Sequence, residues 1–299
     1  MEINIFNMNI SIFSFVSMLI FLIAAPIIGC ILAGLDRKFS ARMQGRVGPK
    51  ILQPYYDVRK LWAKEDATVN GAQDLYAKLY FVFVILAGLA FFAGANFLLC
   101  IFILTLAELF LIIAAYASRS PFAKLGAERE TIQVMAYEPM ILLMAVGIYM
   151  ATDSFRVVDA INTNMPLIAF LPFLFIGFLY ILTIKLRKSP FDISMAQHAH
   201  QELVRGLVTE FSGKTLALIE IAHWFETILF LGFTAMFIIW QANVVSIVIA
   251  VVVCLVVWFL EIWIDNNFAR VKWQSMLKTA WVAALAAGAC NIVYLLVFF

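Results

Sequence analysis

Apolar runs long enough to cross a lipid bilayer follow one another along the entire sequence. The hydrocarbon core of a bilayer requires roughly 17–25 such residues per helix, and a helix satisfies its own backbone hydrogen bonds there. Eight segments meet this requirement: residues 12–34, 79–95, 97–117, 134–152, 167–184, 216–240, 244–264 and 279–298. The sequence therefore predicts an all-α protein that forms one integral membrane domain of eight transmembrane helices over residues 1–299.

Composition supports a membrane protein and argues against nucleic-acid, metal and cofactor binding by this chain. Of the 299 residues, 64% are hydrophobic and 13% are charged, whereas soluble domains have about 45–50% and about 25%. The formal net charge of +2 provides no basic excess for a nucleic-acid partner. The four cysteines lie in apolar runs without metal-ligand spacing, so we expect neither a metal nor a cofactor in this chain. Any iron–sulfur centres then belong to partner chains.

The distribution of Lys and Arg predicts the orientation of the helices. The connections at residues 35–78, 118–133, 185–215 and 265–278 contain nine, three, five and three of these residues, and the opposite side contains only Arg156. Positively charged loops stay in the cytoplasm. We therefore expect these four connections in the cytoplasm, both termini outside it, and the chain in the cell membrane.

The first cytoplasmic connection contains a candidate surface helix. Its apolar and aromatic residues recur at helical spacing, with charged residues on the opposite face. The apolar set is Tyr55, Val58, Leu61 and Trp62, and the charged set is Asp57, Arg59, Lys60 and Lys64. Such an amphipathic helix suits a membrane surface or a neighbouring subunit.

Ionisable residues inside the predicted spans are the first candidates for function, because each costs about 2.5–3.5 kcal/mol at a helix centre on insertion scales. Glu108 lies in the middle of the third span and Glu138 one turn inside the fourth. Glu220, His223 and Glu226 follow at intervals of three residues in the sixth span. Neighbouring side chains at this spacing lie within one turn, so a carboxylate, an imidazole and a carboxylate can pass a proton along the helix.

Structural ion pairs are the competing interpretation of these residues. No Lys or Arg lies in the predicted spans of Glu108, Glu138 or Glu220, which favours proton carriers over fixed pairs. His223 alone is typical of an interhelical hydrogen bond, and its place between two glutamates leaves both roles open. Glu261, near the cytoplasmic end of the seventh span, is expected to be structural or to reach the interface with its side chain.

The connection between the fifth and sixth spans holds the densest group of charged and titratable residues: Asp192, His198, His200, Glu202, Arg205 and Glu210. A His-x-His pair can bind a metal ion, but no cysteine lies nearby and the acids would have to complete the site. Proton handling, or docking of a redox partner, is the interpretation that we favour.

Three segments spread over most of the chain resemble one family, the eight-span membrane subunit that joins the two arms of respiratory complex I and of related hydrogenases. The first, at residues 36–61, contains DRK and RMQGRVGPKILQPYYD. The second is RETIQVMAYE at residues 129–138, and the third comprises PFD at 190–192, ELVRG at 202–206 and EF at 210–211. The predicted span count and orientation agree with this family.

Departures from the complex I pattern narrow the resemblance. The first connection has a single Gly-Pro, and the segment after Asp192 reads ISMAQHAHQELV without the glutamate-rich run of complex I subunits. This form is similar to the energy-converting membrane-bound [NiFe] hydrogenases, in particular to the ion-translocating membrane subunit of the Ech type. Glu226 has no counterpart in the complex I motif.

The resemblance implies a non-catalytic subunit that couples ferredoxin-dependent hydrogen evolution to H⁺ or Na⁺ translocation. The implied partners are the hydrogenase large subunit and the small iron–sulfur subunit, which hold the [NiFe] centre and [4Fe-4S] clusters. The remaining implied partners are an antiporter-like membrane subunit, ferredoxin and the lipid bilayer.

The resemblance also implies roles for individual residues. The acidic path for protons or ions comprises Glu138, Glu202, Glu210 and Glu220, to which span position adds Glu108, His223 and Glu226. The contact with the redox module is assigned to Asp192, His198, His200 and Arg205. Docking or structural roles fall to Arg37, Arg46, Asp57, Arg59, Arg129, Gln133 and Tyr137.

Two other functions remain open. A quinone-site membrane subunit of a complex I-like NADH or F420H2 dehydrogenase has related motifs, although the His-bearing segment disfavours it. A stand-alone ion-coupled transporter also has acids inside its spans, but it should contain Gly- or Pro-broken helices in repeated halves, and the sequence shows no such pair.

Overall fold

The protein is described by a computed structural model over residues 3–5, 8–10, 12–65, 70–188, 190–192, 194–195, 203–241 and 243–298, with side chains from Ser14 onward. A short antiparallel hairpin precedes the helices and consists of β1 (Ile3–Ile5) and β2 (Met8–Ile10). The helices are α1 (Ile12–Met43), α2 (Gln53–Trp62), α3 (Gly71–Phe92), α4 (Phe97–Ala117), α5 (Pro121–Thr152), α6 (Val157–Ile161), α7 (Leu167–Phe170), α8 (Pro172–Lys185), a 3-10 helix at Gly206–Val208, α9 (Gly213–Ile238), α10 (Val244–Asn267) and α11 (Trp273–Phe298).

Seven helices of the described chain are long and apolar enough to cross a membrane. They are α1, α3, α4, α5, α9, α10 and α11. Five of them contain a predicted span in full, whereas α3 ends at Phe92 and α9 at Ile238, shortly before the predicted ends of their spans at residues 95 and 240. The helical membrane architecture is therefore confirmed. The predicted fifth span, residues 167–184, consists instead of α7 and the 14-residue apolar helix α8.

A proline divides α7 from α8. Pro172 has no backbone N–H to continue a helix, so the chain breaks just before it. Two carbonyls beside the break are bound by α11. Asn291 Nδ2 donates to the carbonyl of Phe170 at 3.4 Å. The Tyr294 hydroxyl donates to the carbonyl of Ala169 at 3.2 Å. Neighbouring helices satisfy freed backbone groups in this way inside membranes, so the continuous fifth helix that the sequence predicts is corrected to a broken one.

A second proline ties α5 to α11. Pro139 lies inside α5, and it cannot donate to the carbonyl of Met135 one turn earlier. The indole Nε1 of Trp281 on α11 donates to that carbonyl at 3.1 Å. The helix thus continues through the proline, and its freed acceptor becomes an interhelical contact.

Several helices extend past their predicted spans on the charged side. α5 begins at Pro121, so most of the predicted connection 118–133 is helical. α1 continues to Met43, and α3 begins at Gly71. Hydropathy marks where hydrocarbon ends rather than where the backbone leaves the helix, which explains these corrections. The predicted break at Asn96 is confirmed, because α3 ends at Phe92 and α4 begins directly after Asn96.

The candidate surface helix is present as α2, which packs against α1 and α9. Its charged residues Arg59 and Lys60 are exposed, as predicted. Tyr55 and Trp62 on the supposed inner face are also about half exposed, at 52% and 50%. The apolar face of α2 is therefore only partly covered by this chain.

The core lies among α3, α4, α5, α8 and α9. α5 packs against α4, α8 and α11, while α9 packs against α1, α3 and α10. Large side chains such as Tyr80, Phe178 and Phe230 are fully enclosed between these helices. Much of α10, by contrast, presents apolar side chains outward, including Val248 and Val256.

Candidate functional site: a buried ionic network

Three cations at the end of α8 reach three different acids. The segment Lys185-Leu186-Arg187-Lys188 directs Lys185 to Glu108 on α4, Arg187 to Glu130 on α5 and Lys188 to Asp36 on α1. Arg187 adopts a left-handed backbone conformation with φ of 57°, which costs a non-glycine residue roughly 1–2 kcal/mol. This turn lets successive side chains leave the helix end in different directions.

The pair between Lys185 and Glu108 lies deep inside the protein. Glu108 is 1% exposed, and Lys185 Nζ donates to its Oε1. The same ammonium lies 4.4 Å from the ring centre of Tyr137 and 5.3 Å from that of Phe230, where the faces of the rings attract a cation. Sequence reasoning missed this pair because Lys185 belongs to a different helix, 77 residues away.

A hydrogen-bonded triad lies between α3 and α9. The Tyr80 hydroxyl donates to Glu226 Oε1 at 2.9 Å. His223 Nδ1 lies 3.2 Å from Glu226 Oε2 and 3.1 Å from the Tyr80 hydroxyl. The predicted contact between His223 and Glu226 is present. Tyr80 was missed because nothing in a lone aromatic residue of an apolar span signals a hydrogen bond. Glu220 lies half-buried one turn earlier and forms no hydrogen bond or ion pair with the described residues.

A cavity of about 50 Å³ connects the cations of α8 with this triad. Its lining residues are Lys185, Leu186, Arg187, His223, Glu226, Thr227 and Phe230. Arg187 Nη1 and His223 Nε2 are both buried and have no hydrogen-bond partner in the described part of the protein. A polar cavity of this size has room for more than one water molecule, so water can join the acid of the triad to the ammonium of Lys185.

Glu130 anchors the segment that follows α8. Its Oε1 lies 3.5 Å from Arg187 Nη2, and its Oε2 accepts from the Ser194 hydroxyl. Gln133, one turn along α5, donates to Glu130 Oε2 at 2.9 Å and accepts from the Ser194 backbone N–H at 3.2 Å. Gln133 thus contacts both Glu130 and Ser194. Glu130 was missed because it stands at a variable position of the motif.

Residues 190–192 are also tied to the chain just before α11. The Asp192 N–H donates to the carbonyl of Val271 at 3.2 Å, and the Val271 N–H donates to the carbonyl of Pro190 at 2.6 Å. Arg129 of α5 lies with its guanidinium 4.7 Å from the ring centre of Trp273. Asp192 itself is buried, so the predicted contact residue is enclosed by this chain.

Other predicted residues lie outside the network. Glu138 and Glu210 are half-buried, and Arg205 is exposed. Tyr137 is buried beside Lys185, and its hydroxyl has no partner among the described residues. The predicted residues His198, His200 and Glu202 lie outside the part of the chain that the structure describes.

The first connection is held by a partly exposed ion pair. Arg37 Nη1 lies 2.7 Å from Asp57 Oδ2, and Gln53 Nε2 donates to Asp57 Oδ1 at 2.9 Å. Partial burial alone would raise the pKa of Asp57, but the hydrogen bonds from Arg37 and Gln53 lower it below its usual range. Arg46 donates to Gln44. Arg37, Arg46 and Asp57 therefore have local structural contacts, whereas Arg59 is exposed.

Metal ligands are not assembled in the described part of the protein: no group of three or more His, Cys, Asp or Glu side chains is placed to hold a metal ion there. All four cysteines are free thiols, and Cys30 and Cys100 are buried. The described network consists of acids, cations, an imidazole and hydroxyl groups.

Comparisons with known proteins support the motif analysis. The family model described as NADH dehydrogenase matches residues 16–296. The H-type membrane subunit of NADH-quinone oxidoreductase from Geobacillus kaustophilus (strain HTA426) is 32% identical over 290 residues, which covers 86% of this chain and 85% of that protein. Hydrogenase-4 component C of Escherichia coli (strain K12) is 30% identical over 230 residues, covering 71% of this chain and 69% of that protein.

A solved structure has the same fold. It is a chain of the membrane-bound sulfane sulfur reductase, an archaeal respiratory membrane complex, and it superimposes with a TM-score of 0.83 over 94% of this chain and 99% of that one. The sequence identity is 24%, so the likeness concerns the fold alone.

Proposed function

Because this chain belongs to the NADH dehydrogenase family of respiratory-complex membrane subunits, we propose that it anchors and couples a multisubunit energy-converting [NiFe] hydrogenase. In this role it links ferredoxin-dependent hydrogen evolution to H⁺ or Na⁺ translocation. Family membership sets aside the stand-alone transporter, since the relatives are subunits of larger complexes.

The observation that carries the coupling role is the cavity between Lys185, Arg187 and the Tyr80–His223–Glu226 triad. Arg187 joins this cavity to Glu130, and Glu130 holds the segment that begins after Asp192. A change of charge at that segment therefore reaches a buried acid and an imidazole through direct contacts. Histidine can gain or lose a proton near neutral pH, as a coupling residue requires.

The proposed sequence of events is electrostatic. An electron that arrives at a partner's iron–sulfur centre near residues 190–195 makes the local potential more negative and favours proton uptake. His223 takes up a proton, and its positive charge strengthens the contact with Glu226. The changed field acts across the cavity on the pair of Lys185 and Glu108, which face α5 and the membrane interior. An adjoining antiporter-like subunit then responds to this charge shift.

The hydrogenase assignment rests on the His-bearing segment after Asp192 and on the similarity to hydrogenase-4 component C. In this proposal the [NiFe] centre and the [4Fe-4S] clusters lie in the large and small subunits that dock on the cytoplasmic side. The second candidate is the quinone-site subunit of an NADH-quinone oxidoreductase, which the 32% identity to the H-type subunit of such an enzyme favours.

The proposed topology has eight crossings with both termini outside the cytoplasm. In this arrangement α7 and α8 together make the fifth crossing, and the 20 Lys and Arg residues of the four connections face inward. The cations of α8 and the segment that follows them then lie on the same side as the redox subunits.

Purification of the native complex through a tag on this chain tests the proposal. We expect iron–sulfur subunits to copurify and the complex to evolve hydrogen from reduced ferredoxin without added quinone. Quinone reduction without hydrogen evolution would move the assignment to the second candidate. Recovery of this chain alone, from a membrane extract that retains other respiratory complexes intact, would contradict both.

A further inference from the structure

Glu261 on α10 is a fully buried acid outside the network described above. Its side chain is 0% exposed, and neither carboxyl oxygen has a hydrogen-bond partner in the described part of the protein. The expectation that Glu261 reaches the membrane interface is therefore wrong, because α1 and α9 pack against this side of α10. An ionised carboxylate without hydrogen bonds is costly in such a place, so the arrangement holds Glu261 in its neutral form.

The charged groups around Glu261 come from three elements. Asp265 lies one helical turn further along α10, on the same face as Glu261. Lys188 lies 3.9 Å from Asp265 and 2.5 Å from Asp36 of α1, measured from Nζ to the nearest carboxylate oxygen. Lys188 and Asp265 are the charges that act on Glu261.

The other residues packed near Glu261 are apolar. Trp258 and Ile262 of α10 form a cluster with Leu32 of α1, and Ile228 and Leu231 of α9 pack against it. The ammonium of Lys188 reaches this end of α10, where it lies close to both Asp36 and Asp265. A carboxylate formed at Glu261 would therefore compete with Asp36 for Lys188.

We propose that Glu261 is a proton-binding site distinct from the cavity network, and that its protonation decides whether Lys188 is held by Asp36 or by Glu261. With the proton bound, Lys188 pairs with Asp36, as in the structure. When the proton leaves, the new negative charge draws the ammonium towards α10. The step releases one proton from Glu261 and requires no other reactant, so the net charge of the group formed by Glu261, Lys188 and Asp36 becomes more negative by one unit.

The site is connected to the segment predicted to face the redox partner. Lys188 is two residues before Pro190, whose carbonyl accepts from the Val271 N–H. A shift of Lys188 from α1 towards α10 therefore pulls on the chain just before Asp192. This gives the complex a second titratable control point, independent of whether the partner is a hydrogenase or a quinone-reducing enzyme.

Infrared difference spectroscopy of the intact complex during a pH titration tests the proposal. We expect the carbonyl stretch of a protonated carboxyl at neutral pH, its loss on alkalinisation, and its absence from Glu261→Gln. Asp265→Asn removes a like charge, so the midpoint of the titration should move to lower pH. Lys188→Met removes the attracting charge, so the midpoint should move to higher pH.

Controls separate the site from its alternatives. Glu128→Gln, at an exposed position of α5, should leave this band and its midpoint unchanged. An unchanged spectrum in Glu261→Gln would overturn the proton site, and a midpoint indifferent to Lys188→Met would overturn the exchange of partners. A band that responds to Na⁺ at constant pH would replace the proton with a sodium ion and so contradict the proposal. If Glu261→Gln does not assemble, the shifts in the Asp265 and Lys188 variants decide the question.

Discussion

The acids of this membrane domain form two groups that differ in their surroundings: inner acids, which the protein encloses, and outer acids, which are half-buried. Glu108, Glu130 and Glu226 are enclosed by protein, and each contacts a cation, an imidazole or a hydroxyl group. Glu138 and Glu220 belong to α5 and α9, the same helices that carry Glu130 and Glu226, but they lie on half-buried faces without a hydrogen bond or ion pair to the described residues. The helix to which an acid belongs therefore does not decide its environment. The face of the helix that carries it does.

The energetic reason is the cost of dehydrating charge. A buried ion loses several kcal/mol of hydration, on the order of the whole stability margin of a domain, and needs a close partner to recover it. The inner acids receive such partners from the end of α8 and from α3 and α9. The outer acids are half-buried, so lipid, water or a neighbouring subunit can cover their remaining surface.

Removal of the Lys185 ammonium should lower stability more than substitutions in the triad or among the outer acids. Lys185→Met leaves Glu108 buried without its partner, and loss of one member of a buried pair costs about 3–5 kcal/mol. We expect much less intact complex after mild heating in detergent, measured by native electrophoresis. Lys60→Met on the exposed face of α2 is the matched control and should behave like the parent.

A second substitution, at Glu108, should restore much of the stability that Lys185→Met loses. Glu108→Gln combined with Lys185→Met removes both charges, so the double variant should recover much of the lost stability. If it is as unstable as Lys185→Met alone, the pair does not account for the effect, and the packing of Lys185 against Tyr137 and Phe230 does.

A smaller effect is expected within the triad. Glu226→Gln keeps an acceptor for Tyr80 but removes the charge beside His223, at a cost of about 1–3 kcal/mol. The pH dependence of turnover should change as well, because the substitution removes an ionisable acid in direct contact with His223. Tyr80→Phe serves as comparison, since it removes a hydrogen bond and leaves both Glu226 and His223 in place. Identical pH profiles in parent and Glu226→Gln would exclude this histidine from coupling.

The outer acids should show the smallest change in stability. Glu138→Gln and Glu220→Gln remove ionisable protons while keeping shape, and we expect changes within about 0.5 kcal/mol, as for exposed sites. Ion translocation per turnover, measured in proteoliposomes, should nevertheless fall if these acids carry protons. Full coupling in both variants would confine the path to the inner acids.

The sequence predicted what depends on local spacing. The positions of seven spanning helices, the break at Asn96 and the contact between His223 and Glu226 all follow from patterns within a few residues. Contacts between distant segments could not be derived, because the pairing of Lys185 with Glu108 depends on how α8 packs against α4. For Glu261 the sequence left a structural role and the membrane interface open, and only the packing of α1 and α9 excludes the interface, because it encloses the side chain.

The break between α7 and α8 has a mechanical consequence. α8 is only 14 residues long. Just before it begins, Asn291 and Tyr294 of α11 bind carbonyls of α7, and the three cations lie at its other end. A short helix whose first end is fixed tilts about that end, rather than sliding along its axis, when its other end is displaced. Any rearrangement of ion pairs at residues 185–188 is thus converted into an angular movement of α8 within the bundle, with the proline break as its pivot.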